Sequence, residues 1–149
     1  MDQRGIFRWL TIDMAVFAAL NAFLLFRFQT EIARLQSLGF FEFAIMGLAA
    51  YRASNILSNE VVTKPLRSPF VDEVEKDGKV VEEPKKTGFL GATGLLVYCP
   101  SCTGVWLSAG LAYAYVFWPG PAFFVAFFLA LSAVERILAI SLGWFKRNS

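Results

Sequence analysis

The 149-residue chain is 56% hydrophobic, carries 16 Phe and has a formal net charge of +2, a composition too apolar for a small water-soluble core and one that points to an integral membrane protein. The small, mixed-sign charge provides no basic stripe to follow a phosphate backbone, so nucleic acid is not an expected partner. The chain has no His, which excludes a Ser-His-Asp or Cys-His nucleophile and a His-ligated zinc, haem or chlorophyll unless a partner supplies the ring.

Arg4 and Arg8 precede an apolar run from about Trp9 to Phe28, broken only by Thr11, Asp13, Asn21 and Arg27. This predicts a first spanning helix with Trp9 as an interfacial ring. No A-x-A-like site follows before Arg27-Phe28-Gln29-Thr30-Glu31, so the segment reads as retained rather than as a signal peptide. Residues 29–37 are a short polar connection. A second span is expected at about 38–57, with Glu42 near its start and Arg52 near its end. Its middle, Phe43 to Tyr51, is rich in small residues that let helices approach closely in lipid.

From Ser58 to Thr87 the composition changes to six Lys/Arg and seven Asp/Glu, with Pro65, Pro69 and Pro84 as breakers. This is a water-facing connector rather than a polybasic lipid clamp. Within it, Asp77-Gly78 lies between valine-bearing arms running from Phe70 to Glu82, the signal of a small β-hairpin. Two strands alone are marginal in water, so the hairpin needs the membrane surface or a partner to stay folded. Residues 88–98 are apolar but too short to cross and are expected to lie at the interface. A third span is expected at about 103–118, Pro119-Gly120-Pro121 is a tight reversal, and a fourth span follows at 122–145 with Glu135-Arg136 inside it. The expected fold is therefore an all-α integral membrane bundle of four transmembrane helices, a single domain over residues 1–149, with the connector and the interfacial segment before the third helix.

Four crossings put the termini and the connector on one side. That side holds Arg4, Arg8, Lys64, Arg67, Lys76, Lys79, Lys85, Lys86, Lys146 and Arg147, against only Arg27 and Arg34 opposite. Positive-inside bias then makes the protein multi-pass with both termini cytoplasmic. Asp13, Arg52, Glu135 and Arg136 fall at matched depth in the cytoplasmic third of the bilayer and are candidates for a mutually neutralising intramembrane cluster, because an isolated charge in a spanning helix is costly. The alternative is that both arginines snorkel to the surface.

Both cysteines sit in Tyr98-Cys99-Pro100-Ser101-Cys102-Thr103-Gly104-Val105-Trp106, at the mouth of more than thirty uncharged residues. Pro suits a first helical turn, and a helix N-terminus favours thiolate. Three roles compete for Cys99 and Cys102. They are redox chemistry, a soft-metal site in which a dimer shares zinc or iron through four thiolates, and a structural turn whose thiols pack as small apolar groups. The structural role leads, and it needs no cofactor. On the third helix Gly104, Ser108 and Ala112 form a small-residue packing face, expected to meet the fourth helix because the Pro-Gly-Pro reversal makes the two neighbours. Phe123, Phe124, Phe127 and Phe128 form a wide apolar surface for lipid, or alternatively for a quinone or pigment.

The run Tyr51-Arg52-Ala53-Ser54-Asn55, the segment Arg67-Ser68-Pro69-Phe70 and then Cys99-Pro100-Ser101-Cys102-Thr103-Gly104-Val105-Trp106 resemble, together, the bacterial domain-of-unknown-function family numbered 1360. Those small membrane proteins carry an arginine-bearing helix, R-x-P-F and C-P-x-C-x-G-x-W. The resemblance covers about residues 43–140 and leaves the first helix outside. It implies a bacterial inner (cytoplasmic) membrane and marks Arg52, Arg67, Pro69, Phe70, Cys99, Cys102, Gly104 and Trp106. Where relatives have an acidic residue after the helix arginine, this chain has Asn55 and then Glu60. The family brings no reaction. The expected function is a non-enzymatic assembly or interaction subunit, with a homo-oligomer or a larger membrane assembly as its expected setting, in which Arg67, Pro69 and Phe70 tether the connector and Gly104, Trp106, Ser108 and Ala112 pack helices. The alternatives are a thiol protein using Cys99 and Cys102, and a small transporter or channel using the four charges.

Overall fold

The computed structural model describes residues 3–76, 79–85 and 88–148. Its elements are α1 (Gln3–Arg27), α2 (Gln29–Gln36), α3 (Phe40–Asn59), a 3₁₀ turn (Val61–Thr63), the single turn α4 (Lys64–Arg67), a second 3₁₀ turn (Ser68–Phe70), β1 (Val71–Lys76), β2 (Lys79–Pro84), α5 (Gly88–Tyr98), α6 (Pro100–Phe117) and α7 (Pro119–Asn148). The expected Asp77-Gly78 turn lies outside the described residues, but the two strands it joins are present and antiparallel.

Several boundaries differ from the sequence reading for local reasons. The polar connection at 29–37 is mostly the short helix α2. Glu42, expected near the start of the second span, caps α3. Its Oε2 accepts the Gly39 N–H at 2.8 Å while the Gly39 carbonyl accepts the Phe43 N–H, the backward half of a capping box. The Pro-Gly-Pro stretch is not the reversal itself. Trp118 makes the break, and Pro119 opens α7, where a proline lacks nothing in the first turn.

Among the described residues two helices are long and apolar enough to cross a bilayer, Gly5–Arg27 of α1 and Pro119–Trp144 of α7. Helices α5 and α6, bent by 86° at their break, reach that standard only if taken together as one broken span, which makes three. Of the four expected spans, α3 is the one that falls short of that length-and-composition standard. That helix is long enough at 20 residues, but Glu42, Arg52, Asn55 and Asn59 dilute its apolar run.

The chain forms two compact units, one from residues 1–29 and 55–103 and the other from 30–54 and 104–149. In the first, α1 packs on α5 through the buried Ile6 and an edge-to-face contact of Trp9 with Phe89, ring centres 5.6 Å apart. Helix α5 turns Gly91, Ala92 and Gly94 inward. The hairpin continues past its strand ends, the Lys85 N–H donating to the Phe70 carbonyl at 3.1 Å. That same carbonyl oxygen lies where a Gly94 side chain would begin, with Pro84 close by, so the missing Cβ is what lets α5 reach the hairpin base.

In the second unit Met46 and Ala49 of α3 and Ala126 of α7 form the buried centre, with Ile45, Leu111, Tyr115 and Leu129 around it. Ala122, Ala126, Ala130 and Ala133 recur along one buried face of α7, close to the spacing that lets helix backbones approach. The small face of α6 meets α3 at its first residue. Gly104 is nearest Ser54 of α3, and Ser108 and Ala112 line a cavity of about 390 Å³ with Phe43, Met46 and Gly47 of α3.

Much of what is buried is small or polar, and many large apolar side chains point out. Among the described residues Val116 and Ser58 are the largest fully buried side chains, whereas Phe23, Phe26, Phe124, Phe128 and Leu142 are more than half exposed. That is the reverse of a water-soluble core.

Gly94→Ala is expected to destabilise the protein by about 1–3 kcal/mol through overpacking, because backbone rather than a flexible side chain meets the new Cβ. Gly110→Ala, with open space around it, should hold or raise the thermal midpoint in detergent or lipid. A G94A midpoint equal to that of G110A would contradict the packing described.

Candidate functional site

The connector folds around Arg67. Pro65 sits in the first turn of α4, and that turn points the Arg67 side chain back along the chain, where it is only 4% exposed. Nη1 donates to the carbonyls of Leu57 (3.0 Å) and Glu60 (2.8 Å) and to Thr63 Oγ1 (2.8 Å). Nε and Nη2 both donate to Glu82 Oε2, at 3.3 and 3.2 Å. One guanidinium thus satisfies carbonyls freed where α3 ends, which have no partner within the helix, and fixes β2 to that end. Thr63 Oγ1 reinforces the arrangement, lying 2.5 Å from the Ile56 carbonyl and 3.0 Å from that of Glu60.

The hairpin register explains why cations are needed here. Asp72 pairs with Glu83, and Glu73 with Glu82, and like charges directly opposite each other weaken a sheet. Lys64 Nζ lies 2.6 Å from Glu73 and 4.0 Å from Glu82, while Arg67 holds Glu82 from the other side. The hydrogen bond to Glu73 raises the Lys64 pKa above its ordinary value. Its stabilising contribution is therefore present at neutral pH and fades as the pH rises through that raised value. Beside these residues Ser58, Tyr98, Val80 and Val81 help line a cavity of about 430 Å³.

The cysteine turn belongs to the same unit. Cys99 heads α6. Its carbonyl accepts the Thr103 N–H at 3.0 Å and its own N–H donates to the Leu96 carbonyl at 3.2 Å. Its Sγ accepts the Cys102 N–H at 3.3 Å, as a Ser or Asp oxygen does at a helix N-cap. The two sulfurs lie 2.6 Å apart, and both cysteines are free and half-exposed. Thr103 Oγ1 donates to the Leu96 carbonyl at 2.8 Å and sits 3.5 Å from Ser58 Oγ, tying the first turn of α6 to the end of α3. Among the described residues no three His, Cys, Asp or Glu side chains cluster as a metal site.

The other sequence-selected residues are distributed as follows. Of the tether residues, Arg67 makes the bonds above, Phe70 contributes its carbonyl against α5, and Pro69 is exposed in the 3₁₀ turn. Asp13 stands on α1 in the first unit. Its Oδ2 is buried and has no hydrogen-bond partner among the described residues. Arg52, Glu135 and Arg136 are in the second unit, where Arg52 Nε donates to Ser132 Oγ at 2.8 Å. Ser132 precedes Glu135 and Arg136 by three and four positions and so shares their face of α7. Trp106 is half-buried on α6.

Sequence reasoning missed Glu82, Thr63, Gly94 and Ser132. Glu82 was within reach. Once Asp77-Gly78 sets the register, two acidic pairs face each other, and the pattern demands a nearby cation. Nothing in the sequence separates Thr63 or Ser132 from other hydroxyls.

A small helical chain with two or three helices of spanning character and an arginine-fixed hairpin is the class these features define. Residues 45–142 match the family described as protein of unknown function (DUF1360), and the chain belongs to that family. It is 28% identical over 109 residues to the UPF0713 protein YngL of Bacillus subtilis (strain 168), covering 71% of this chain and 82% of that one. It is also 30% identical over 99 residues to the sporulation protein YjcA of the same organism, covering 63% and 84%. No solved structure matches. The matched region begins within α3 and ends within α7, so α1 lies outside it.

Arg67→Ala should cost about 3 kcal/mol or more, because it takes a buried charge-assisted partner from Glu82 and a donor from each of the Leu57 and Glu60 carbonyls. Lys64→Ala, at a solvated pair, should move the thermal midpoint far less. Equal midpoints for R67A and K64A would contradict the central place given to Arg67.

Proposed function

We propose that this chain is a multi-pass protein of a bacterial inner membrane, one membrane domain in which α1, α3, α6 and α7 all cross, that serves as a non-enzymatic assembly or interaction subunit. The observation that carries this reading is α1. Its most apolar 18-residue stretch buries none of its residues within the chain, and it lies outside the region matched to the family. A helix whose apolar surface the chain itself leaves open suits contact with lipid and with another subunit, a second copy included.

The polar chemistry supports the same reading. Arg67, Glu82, Thr63 and Ser58 are engaged in holding backbone and one another, which is the work of an anchor. The Lys/Arg balance favours both termini and the connector in the cytoplasm. The sporulation protein among the similar chains gives a bacterial process in which such a subunit would serve.

Parity of crossing tests the topology. Reporter fusions at the two ends are expected to read the same, cytoplasmic, side, as four crossings require. Ends on opposite sides would mean three crossings, with the bent α5 and α6 as one span, and would overturn the orientation. Mass measurement in nanodiscs is expected to give more than one copy, or a copy with a second subunit. A lone monomer at every concentration would overturn the assembly role.

A further inference from the structure

Beyond that scaffold role, we propose that Cys99 and Cys102 form a reversible dithiol–disulfide couple that exchanges with small soluble disulfides. The geometry lies wholly within one unit, and access from water rests on the reading above, in which α6 crosses by itself and the pair stands at its cytoplasmic mouth. The two sulfurs already face each other at 2.6 Å across the first turn of α6. The backbone on either side is held by the Cys99 to Leu96 and Thr103 to Cys99 hydrogen bonds, and Thr103 is further pinned through its hydroxyl. The pair can therefore join without moving the helix. Both residues are half-exposed and Ser101 between them is exposed, so an incoming disulfide can reach them. Among the described residues no third His, Cys, Asp or Glu joins the two cysteines to complete a metal cluster.

The two cysteines have different roles. Cys99 Sγ accepts the Cys102 backbone N–H at 3.3 Å, at a helix N-terminus, the environment that favours thiolate. Cys99 is therefore the attacking sulfur and Cys102 the resolving one. The Cys99 thiolate attacks one sulfur of the incoming disulfide, forming a mixed disulfide and expelling the first thiolate. Cys102 loses its proton and attacks Cys99 Sγ, closing the Cys99–Cys102 bond and expelling the second. Two electrons pass from the pair to the incoming disulfide, and the two protons end on the released thiols. A pair facing a reducing compartment would be oxidised only transiently, as sensing and exchange pairs are.

The test uses the full chain in lipid nanodiscs, equilibrated with increasing ratios of oxidised to reduced glutathione, trapped with a maleimide and read by intact mass. Both thiols are expected to disappear together, leaving a chain lighter by two hydrogens and free of glutathione, and dithiothreitol should restore both. In the single variants Cys102→Ser should take up glutathione on Cys99 at least about threefold faster than Cys99→Ser does on Cys102, the partial gain expected when thiolate fraction rises as nucleophilicity falls. Wild-type chains that keep both thiols throughout, or that accumulate glutathione adducts instead of the internal bond, would overturn the couple. Equal or inverted rates in the variants would overturn the assignment of Cys99 as the attacking sulfur. The wild-type measurement decides the first point even where a variant fails to fold.

Discussion

The arrangement of the first unit depends on a single buried guanidinium. A helix that stops leaves carbonyls without partners, and a two-stranded hairpin has too little surface to fold by itself. Arg67 answers both needs at once by donating to the Leu57 and Glu60 carbonyls and to Glu82 on β2. Burying that charge is tolerable because it is paired and nearly every donor is used. Its planar fork, which can serve a carboxylate and carbonyls together, is what a lysine would lack.

The second unit is held together by other means. Its centre is built from Met46 and alanines, and many bulky residues of α7, Phe124, Phe128 and Leu142 among them, are turned outward. In water such a chain would gain little from folding, since apolar burial per residue is the main driving force. In a bilayer the outward residues need no burial, and close backbone approach through small side chains becomes the source of packing energy. The small face of α6 follows the same logic by turning toward α3 at Gly104 and Ser108. An Arg52 inside such a helix is accommodated through the Ser132 hydroxyl.

Much of this could be read from the residues. The Asp-Gly between valine arms announces the hairpin, the long runs at α1 and α7 announce spanning helices, and the Pro after Cys99 announces the start of α6. Less legible was the role of Glu42 near the start of the second span, where it caps α3 through the Gly39 N–H. The Arg67 motif was visible as a motif, but its partner lies fifteen positions away across a turn, and only the strand register brings it near. Packing partners were least legible. Adjacency in sequence suggested α7 for the α6 small face, while the chemistry of Ser54 and Gly47 on α3 was equally available.

The claim that Arg67 folds the connector onto the end of α3 is tested most directly by hydrogen–deuterium exchange on the protein in nanodiscs. The account predicts slowed exchange at the cross-strand amides of residues 71–76 and 79–84, lost in an Arg67→Ala chain while α7 keeps its protection. Hairpin amides that exchange at once in the native sequence, or that stay protected without the guanidinium, would contradict it.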